Sequence, residues 1–196
     1  NFWDAINSEG HPSSPIFNPD GTLTMSGAYS VGGLVTENNY TDTKANNFKT
    51  TTGLRAEFFD KTLRAVADFT YSYRMNNELK KRTVVPYSTG PGIYETLGVP
   101  GTDDYLQEYF SGTNYLAANA YLEYENTFAK KHYFKAMAGY NYEQKHWKGV
   151  TSQRYDLMTP DTDAINLAMG ESMSITSNES RWRLAGFMFR LNYSYD

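Results

Sequence analysis

Residues 63–73 read Leu63-Arg-Ala-Val-Ala-Asp-Phe-Thr-Tyr-Ser-Tyr73. Leu63, Ala65, Ala67, Phe69, Tyr71 and Tyr73 fall on one side of an extended chain; Arg64, Val66, Asp68, Thr70 and Ser72 fall on the other. A period of two is the signature of a β-strand with unlike faces. Four further stretches carry the same pattern. From Phe48 to Phe58, Leu54 and Ala56 oppose Lys49, Arg55 and Glu57. From Tyr115 to Phe128, Leu116, Ala118, Ala120, Leu122 and Tyr124 oppose Asn119, Tyr121, Glu123 and Glu125. From Tyr133 to Tyr142, Phe134, Ala136, Ala138, Tyr140 and Tyr142 oppose Lys135, Met137 and Asn141. From Leu184 to Tyr195, Ala185, Phe187, Phe189, Leu191, Tyr193 and Tyr195 oppose Met188, Arg190, Asn192 and Ser194.

No charged residue falls on the apolar side of any of these stretches, whereas Lys49, Arg55, Glu57, Arg64, Asp68, Glu123, Glu125, Lys135 and Arg190 all fall on the other. An Arg or Lys facing hydrocarbon at mid-depth costs roughly 2–4 kcal/mol, which would produce this asymmetry. A water-soluble antiparallel sheet with one wet face is the alternative. Connection lengths favour the first. The turns near residues 60 and 130 are a few residues long, while the connections from about 75 to 114 and from about 150 to 180 are long. Outer-membrane barrels combine short periplasmic turns with long external loops, and soluble domains seldom carry structureless loops beyond about 15 residues.

The expected fold is therefore all-β: a membrane-spanning, antiparallel, up-and-down β-barrel of which this chain supplies about five strands, near 47–59, 62–75, 114–128, 132–149 and 180–196. Residues 1–46, punctuated by Pro12, Pro15, Pro19, Asp20-Gly21 and Gly32-Gly33, with Asn38-Asn39 after them, read as an extracellular loop region with at most one short hairpin. Five strands cannot close a barrel, since the smallest bacterial barrels use about eight. The chain, which starts without Met, reads as an internal piece of a larger protein.

Composition agrees. Of 196 residues 16% are aromatic, with 17 Tyr and 11 Phe, yet mean hydropathy is -0.63. Tyr, Ala and Phe dominate the apolar set, a bias suited to strands that meet lipid and headgroups. No apolar run approaches the ~20 residues of a spanning helix. The absence of Cys removes disulfide and thiolate chemistry. A net charge of -4 argues against a nucleic-acid binder, which would carry a basic stripe.

Several phrases resemble the SusC/RagA branch of TonB-dependent outer-membrane transporters of Bacteroidetes: Ser14-Pro-Ile-Phe-Asn-Pro-Asp-Gly21, Asn46-Asn-Phe-Lys-Thr-Thr-Thr-Gly-Leu-Arg55, Ala67-Asp-Phe-Thr-Tyr-Ser-Tyr73, His132-Tyr-Phe-Lys-Ala-Met-Ala-Gly-Tyr140 and Phe187-Met-Phe-Arg-Leu-Asn-Tyr-Ser-Tyr-Asp196. Each phrase is degenerate; their order and spacing carry the likeness. The resemblance implies a plugged barrel of about 22 strands, driven by TonB through N-terminal regions outside this chain. It further implies a SusD-like lipoprotein lid, a dimer of transporter–lid pairs, and an oligosaccharide cargo or, in the RagA subgroup, peptides. No cofactor is implied. A secreted carbohydrate-binding β-sandwich remains the soluble alternative.

Candidate contacts to cargo or lid are Tyr87, Tyr94, Tyr105, Tyr109 and Phe110, with Asp103-Asp104, in the first long connection, and Trp147, Arg154, Tyr155, Asp156, Asp161 and Asp163 around the second. Aromatic rings stack on sugar faces and carboxylates accept from hydroxyls; loop packing and lid contact are the plainer alternative for any one of them. Arg55, Arg64, Asp68, Glu123, Glu125, Lys135 and Arg190 are expected to line the wet interior, as plug contacts and solvated wall. Enzyme signals are weak. His11, His132 and His146 lie on different elements, so neither a zinc cluster nor a triad is suggested, and Glu123 and Glu125 share a face by simple alternation. Asp161-Thr-Asp163 is a weak calcium candidate, and the triplets at Asn39, Asn178 and Asn192 match a glycosylation acceptor by coincidence.

Overall fold

A computed structural model describes residues 13–32, 39–100, 103–159, 161 and 163–195. Seven strands appear in chain order: β1 Tyr40–Phe58, β2 Leu63–Arg82, β3 Val85–Gly90, β4 Ile93–Leu97, β5 Tyr105–Phe128, β6 His132–Tyr155 and β7 Met173–Tyr195. A short helix, α1, spans Met25–Ser30, and a single 3-10 turn spans Ile165–Leu167. Five long strands form one antiparallel sheet in the order β1-β2-β5-β6-β7, and β3 and β4 pair separately as an antiparallel hairpin. All-β architecture thus follows from the alternation.

The long strands extend further than the alternation places them. β1 begins at Tyr40 inside the span read as loop, β2 runs on to Arg82, β5 starts at Tyr105, and β7 starts at Met173. The segment added to β2, Asn76-Asn-Glu-Leu-Lys-Lys81, is mostly polar on both sides, so its ladder continues with no apolar face to reveal it, whereas the segment added to β5 carries the buried Leu106. The first long connection is also not structureless, because the β3–β4 hairpin occupies it. Pro12, Gly33, Asn38 and His11, named in the sequence reading, lie outside the described residues.

Both short turns use left-handed backbone. Thr62 N–H donates to the Phe59 carbonyl at 3.0 Å and Lys131 N–H to the Phe128 carbonyl at 3.1 Å. Asp60 and Lys61 have φ of 52° and 73°, and Ala129 and Lys130 have φ of 51° and 59°. Two consecutive left-handed residues twist a turn in the sense that strands require.

Contacts divide the chain into two compact units. The first, residues up to 44 with 77–110 and 150–177, contains all six buried apolar residues of the described chain: Leu23, Ala28, Val85, Tyr87, Leu106 and Ala168. Leu23, Ala28, Val85 and Tyr87 cluster with Leu97. Thr24 caps α1 by accepting from Gly27 N–H at 3.0 Å, and Gly27 sits so close to the Ile16 carbonyl that any Cβ would collide with it. The Asn18 amide ties the preceding turn together, donating to Thr22 Oγ1 at 3.0 Å and to the Ser88 carbonyl at 3.1 Å.

The second unit, 45–76, 111–149 and 178–196, holds every one of the apolar strand faces. Among its described residues no apolar side chain is buried. A water-soluble sheet would cover such a face with a second layer.

Candidate functional site

The second unit has two faces of opposite chemistry. On the first, Leu54, Phe69, Leu122, Tyr140, Phe187 and Phe189 stand in solvent, with Phe187 90% and Phe189 73% exposed. Leu54, Leu122, Tyr140, Phe187 and Phe189 wall a shallow apolar trough of about 690 Å3, and Ala56, Ala65, Ala67, Ala120 and Ala138 line it at lower height. These residues fall on the side that the alternation assigns as uncharged; Val66, Tyr121, Gly139 and Met188, which also border the trough, belong to the opposite side. The Tyr140 and Phe187 rings lie 5.1 Å apart, which fixes β6 and β7 in register on this face.

On the second face the charges are drawn together. Glu57 accepts from Arg55 at 2.5 Å and from Arg64 at 3.3 Å. Arg64 also pairs with Glu123. Lys135 lies 3.1 Å from both Glu123 and Glu125. Polar pairs extend the same face: Thr51 with Thr70 at 2.9 Å, Asn141 to Asn119 at 2.6 Å, and the Tyr115 hydroxyl to Glu143 at 3.0 Å. Asp68 leans over Gly53, where a Cβ would meet its Oδ1 at 2.9 Å. Arg190 stands apart from the cluster and donates to Asn192 at 3.4 Å. Exposed ion pairs each contribute under about 1 kcal/mol. Their sidedness is therefore the informative feature, since the charged side folds upon itself while the apolar side stays bare.

In the first unit the aromatic candidates separate. Tyr105 and Tyr155 meet edge to face at 5.9 Å between centroids. Both line a cavity of about 470 Å3 with Tyr29, Asn39, Arg82 and Asp103. Lys80 Nζ lies 5.8 Å from the Tyr105 ring. Asp103 Oδ2 accepts from Val99 N–H at 2.7 Å, which holds the loop beside the cavity. Tyr29 and Arg82 do not stand out in the sequence, and Asn39 does so only as a turn residue and the start of a glycosylation triplet, because nothing local ties residues 29 and 39 to residue 82.

Other candidates are engaged elsewhere. Tyr87 is 8% exposed within the hairpin core, its hydroxyl donating to Glu95 at 2.6 Å, and this partner raises its pKa above the ordinary phenol value. Tyr94 is an exposed hairpin residue. Tyr109 and Phe110 line a different depression of about 420 Å3 with Asp42, Lys44 and Asn77. Arg154 Nε donates to the Gly170 carbonyl at 3.1 Å and so clamps the connection that follows β6. Trp147 is half-buried on β6. Of the eight candidates that are not acidic, six, Tyr105, Tyr109, Phe110, Trp147, Arg154 and Tyr155, sit on the long strands and not in loops.

Two of the acidic candidates, Asp104 and Asp163, are engaged in holding the fold. Asp104 accepts through its carbonyl from Asp156 N–H at 3.3 Å and through Oδ2 from Leu157 N–H at 3.0 Å. Asp163 accepts from Lys81 Nζ at 2.8 Å. Lys81 and a hydrogen bond from Tyr40 hold the Asp163 carboxyl below its usual range. Burial, with that same hydrogen bond, pushes the Tyr40 phenol up to about 12. Asp163 is thus committed to a lysine, and among the described residues no group of three acidic or His side chains is placed to hold a metal; Thr162, between the two aspartates, lies outside them.

No family model matches this chain, and no curated protein matches it either.

Proposed function

We propose that the five-stranded sheet is a section of an outer-membrane β-barrel, and that the whole protein imports a bulky nutrient, an oligosaccharide, by a TonB-dependent cycle. One observation carries this reading: the unit holding the apolar strand faces buries none of its large hydrophobic side chains, while its charged face is condensed into ion pairs. Such a sheet is inverted for water and suited to a wall with hydrocarbon outside and an aqueous lumen inside. The run Leu63 to Tyr73, at ~3.3 Å per residue and tilted near ~45°, covers roughly 25 Å, the height of an outer-membrane apolar band. The turns at residues 60 and 130 then face the periplasm. β1 and β7 are edge strands, and edges in lipid need neighbours, so further strands of the same barrel flank them.

In this reading the cavity of Tyr105, Tyr155, Arg82 and Asp103 is a cargo contact. Its rings offer stacking faces and its charged groups offer partners for hydroxyls. A SusD-like lipoprotein covers the outer side, two transporter–lid pairs associate, and TonB acts on a plug outside this chain. These partners rest on the family resemblance.

Met188 and Phe189 provide the test, because they are neighbours on opposite faces. Phe189 is the more exposed, at 73% against 39%. In a soluble sheet Phe189→Arg would be the milder change. In a barrel it costs roughly 2–4 kcal/mol while Met188→Arg, facing the lumen, is tolerated. The measurement is the fraction of full-length protein assembled in outer membranes as a heat-modifiable band; a Phe189→Arg variant that assembles as well as Met188→Arg sinks the proposal.

A further inference from the structure

A basic cluster stands at one end of the apolar trough, on the same face of β6 and β7. His146 Nε2 lies 2.8 Å from Glu179 Oε1, and Arg181 reaches Glu179 at 3.3 Å and His146 at 3.5 Å. These contacts put His146, Glu179 and Arg181 on the side of Tyr140 and Phe187, two-residue steps along the same strands. Arg183 and Lys148 share that parity, are exposed, and have no charged partner among the described residues. Glu179 is the one carboxylate facing this group from β6 or β7, so three permanent cations meet a single anion. Arg183 stands four residues from Phe187, roughly 13 Å along the strand.

We infer that this surface is a binding site for one phosphorylated, multiply acylated glycolipid of the outer leaflet, with its phosphates on Arg181, Arg183 and Lys148 and an acyl chain in the trough. The inference rests on the barrel reading above. Two separate features point to the same occupant. The cations sit where the outward face changes from Tyr142 and Ala185 to Gln144 and Arg183, which is headgroup level for a lipid-facing strand. The trough beyond them, about 690 Å3 and lined by alanines between taller Leu and Phe walls, has room for hydrocarbon that a flat face would lack. A zwitterionic phospholipid would fill the trough equally well but leave the excess positive charge unanswered, and basic side chains near a surface contribute about 1 kcal/mol each toward an anionic headgroup. Arg supplies the fork that phosphate oxygens match.

The experiment uses the full-length protein in nanodiscs of phosphatidylethanolamine doped with bisphosphorylated lipid A, with bound lipid counted by native mass spectrometry. The wild-type protein retains lipid A over its dephosphorylated form. The Arg183→Gln/Lys148→Gln variant, changed only at exposed side chains, loses about tenfold in that preference, and Ala67→Phe, which fills the trough, lowers retention of both forms. Lys44→Gln, whose cation is already paired with Asp42 at 2.9 Å, leaves the preference unchanged. Equal retention of the two lipids by the wild-type protein, or an equal loss in Lys44→Gln, overturns the site. Failure of the protein to enter nanodiscs at all overturns the barrel reading instead, so the two failures are told apart.

Discussion

Lys81 and Asp163, 82 residues apart in the chain, meet at 2.8 Å within the first unit, the lysine side chain 2% exposed and the aspartate half exposed. The pair fastens the end of β2 to the connection between β6 and β7. Asp163→Asn leaves a buried ammonium without its anion, a loss of several kcal/mol for a wholly buried pair and about 2 kcal/mol here, because water reaches the carboxylate. The pH dependence follows from the lowered pKa of Asp163, held down by its hydrogen bond from Lys81. Its contribution is complete above the unfolded value, near 3.8, and disappears as pH falls through the lower folded value. Protection factors of the amides of residues 163–170 should therefore be high at neutral pH, fall below about pH 4, and be low at all pH in Asp163→Asn. Exchange that ignores the substitution would remove this pair as the fastening.

The turn at Ala129-Lys130 places two L-residues in left-handed backbone, each strained by roughly 1 kcal/mol. Asn-Gly is the pair that such a turn prefers. Ala129→Asn with Lys130→Gly should raise the stability of the refolded full-length protein in detergent by about 1 kcal/mol, read as a later urea midpoint with unchanged slope. A midpoint that moves earlier would mean the turn is held by something other than its backbone.

Glu123 is the hinge of the charged face, 13% exposed and shared between Arg64 and Lys135. Glu123→Gln keeps its size and removes the anion between Arg64 and Lys135, which keep only Glu57 and Glu125 respectively; the expected loss is about 1 kcal/mol. Arg55, 60% exposed, should tolerate Gln within about 0.5 kcal/mol. Urea unfolding of both variants ranks them, and equal losses would contradict the sharing of Glu123.

How much of this was legible in the letters depends on what the physics writes into them. Where one strand face meets an apolar medium and the other does not, as from Leu63 to Tyr73, each alternate residue is constrained and five strands stand out. Where neither strand face is apolar, as over most of Asn76 to Arg82, the ladder persists without an alternation to mark it, so the strands run several residues beyond the alternating stretches. The charged wall was readable as a set, because alternation alone fixes its side. The cavity was only half readable. Tyr105 and Tyr155 advertise themselves as aromatics near strand ends, but Tyr29, Asn39 and Arg82 join them through chain reversals that no local pattern encodes.

That same cavity carries the prediction that separates recognition from scaffolding. Tyr87 and Tyr105 were equal candidates as letters, yet the structure commits the Tyr87 ring to the hairpin core and leaves Tyr105 and Tyr155 lining open space. Tyr105→Ala and Tyr155→Ala each remove one stacking face, worth about 1 kcal/mol, and should weaken cargo binding by roughly five- to tenfold while leaving assembly in the membrane unchanged. Tyr87→Ala instead empties a packed site beside Leu23 and Val85 and should lower the thermal stability of the full-length protein by several degrees. Isothermal titration with oligosaccharide fractions, and with peptides as the rival cargo, gives the affinities. If Tyr87→Ala lowers affinity without lowering stability, while Tyr105→Ala does neither, cargo meets the hairpin and the assigned cavity is wrong.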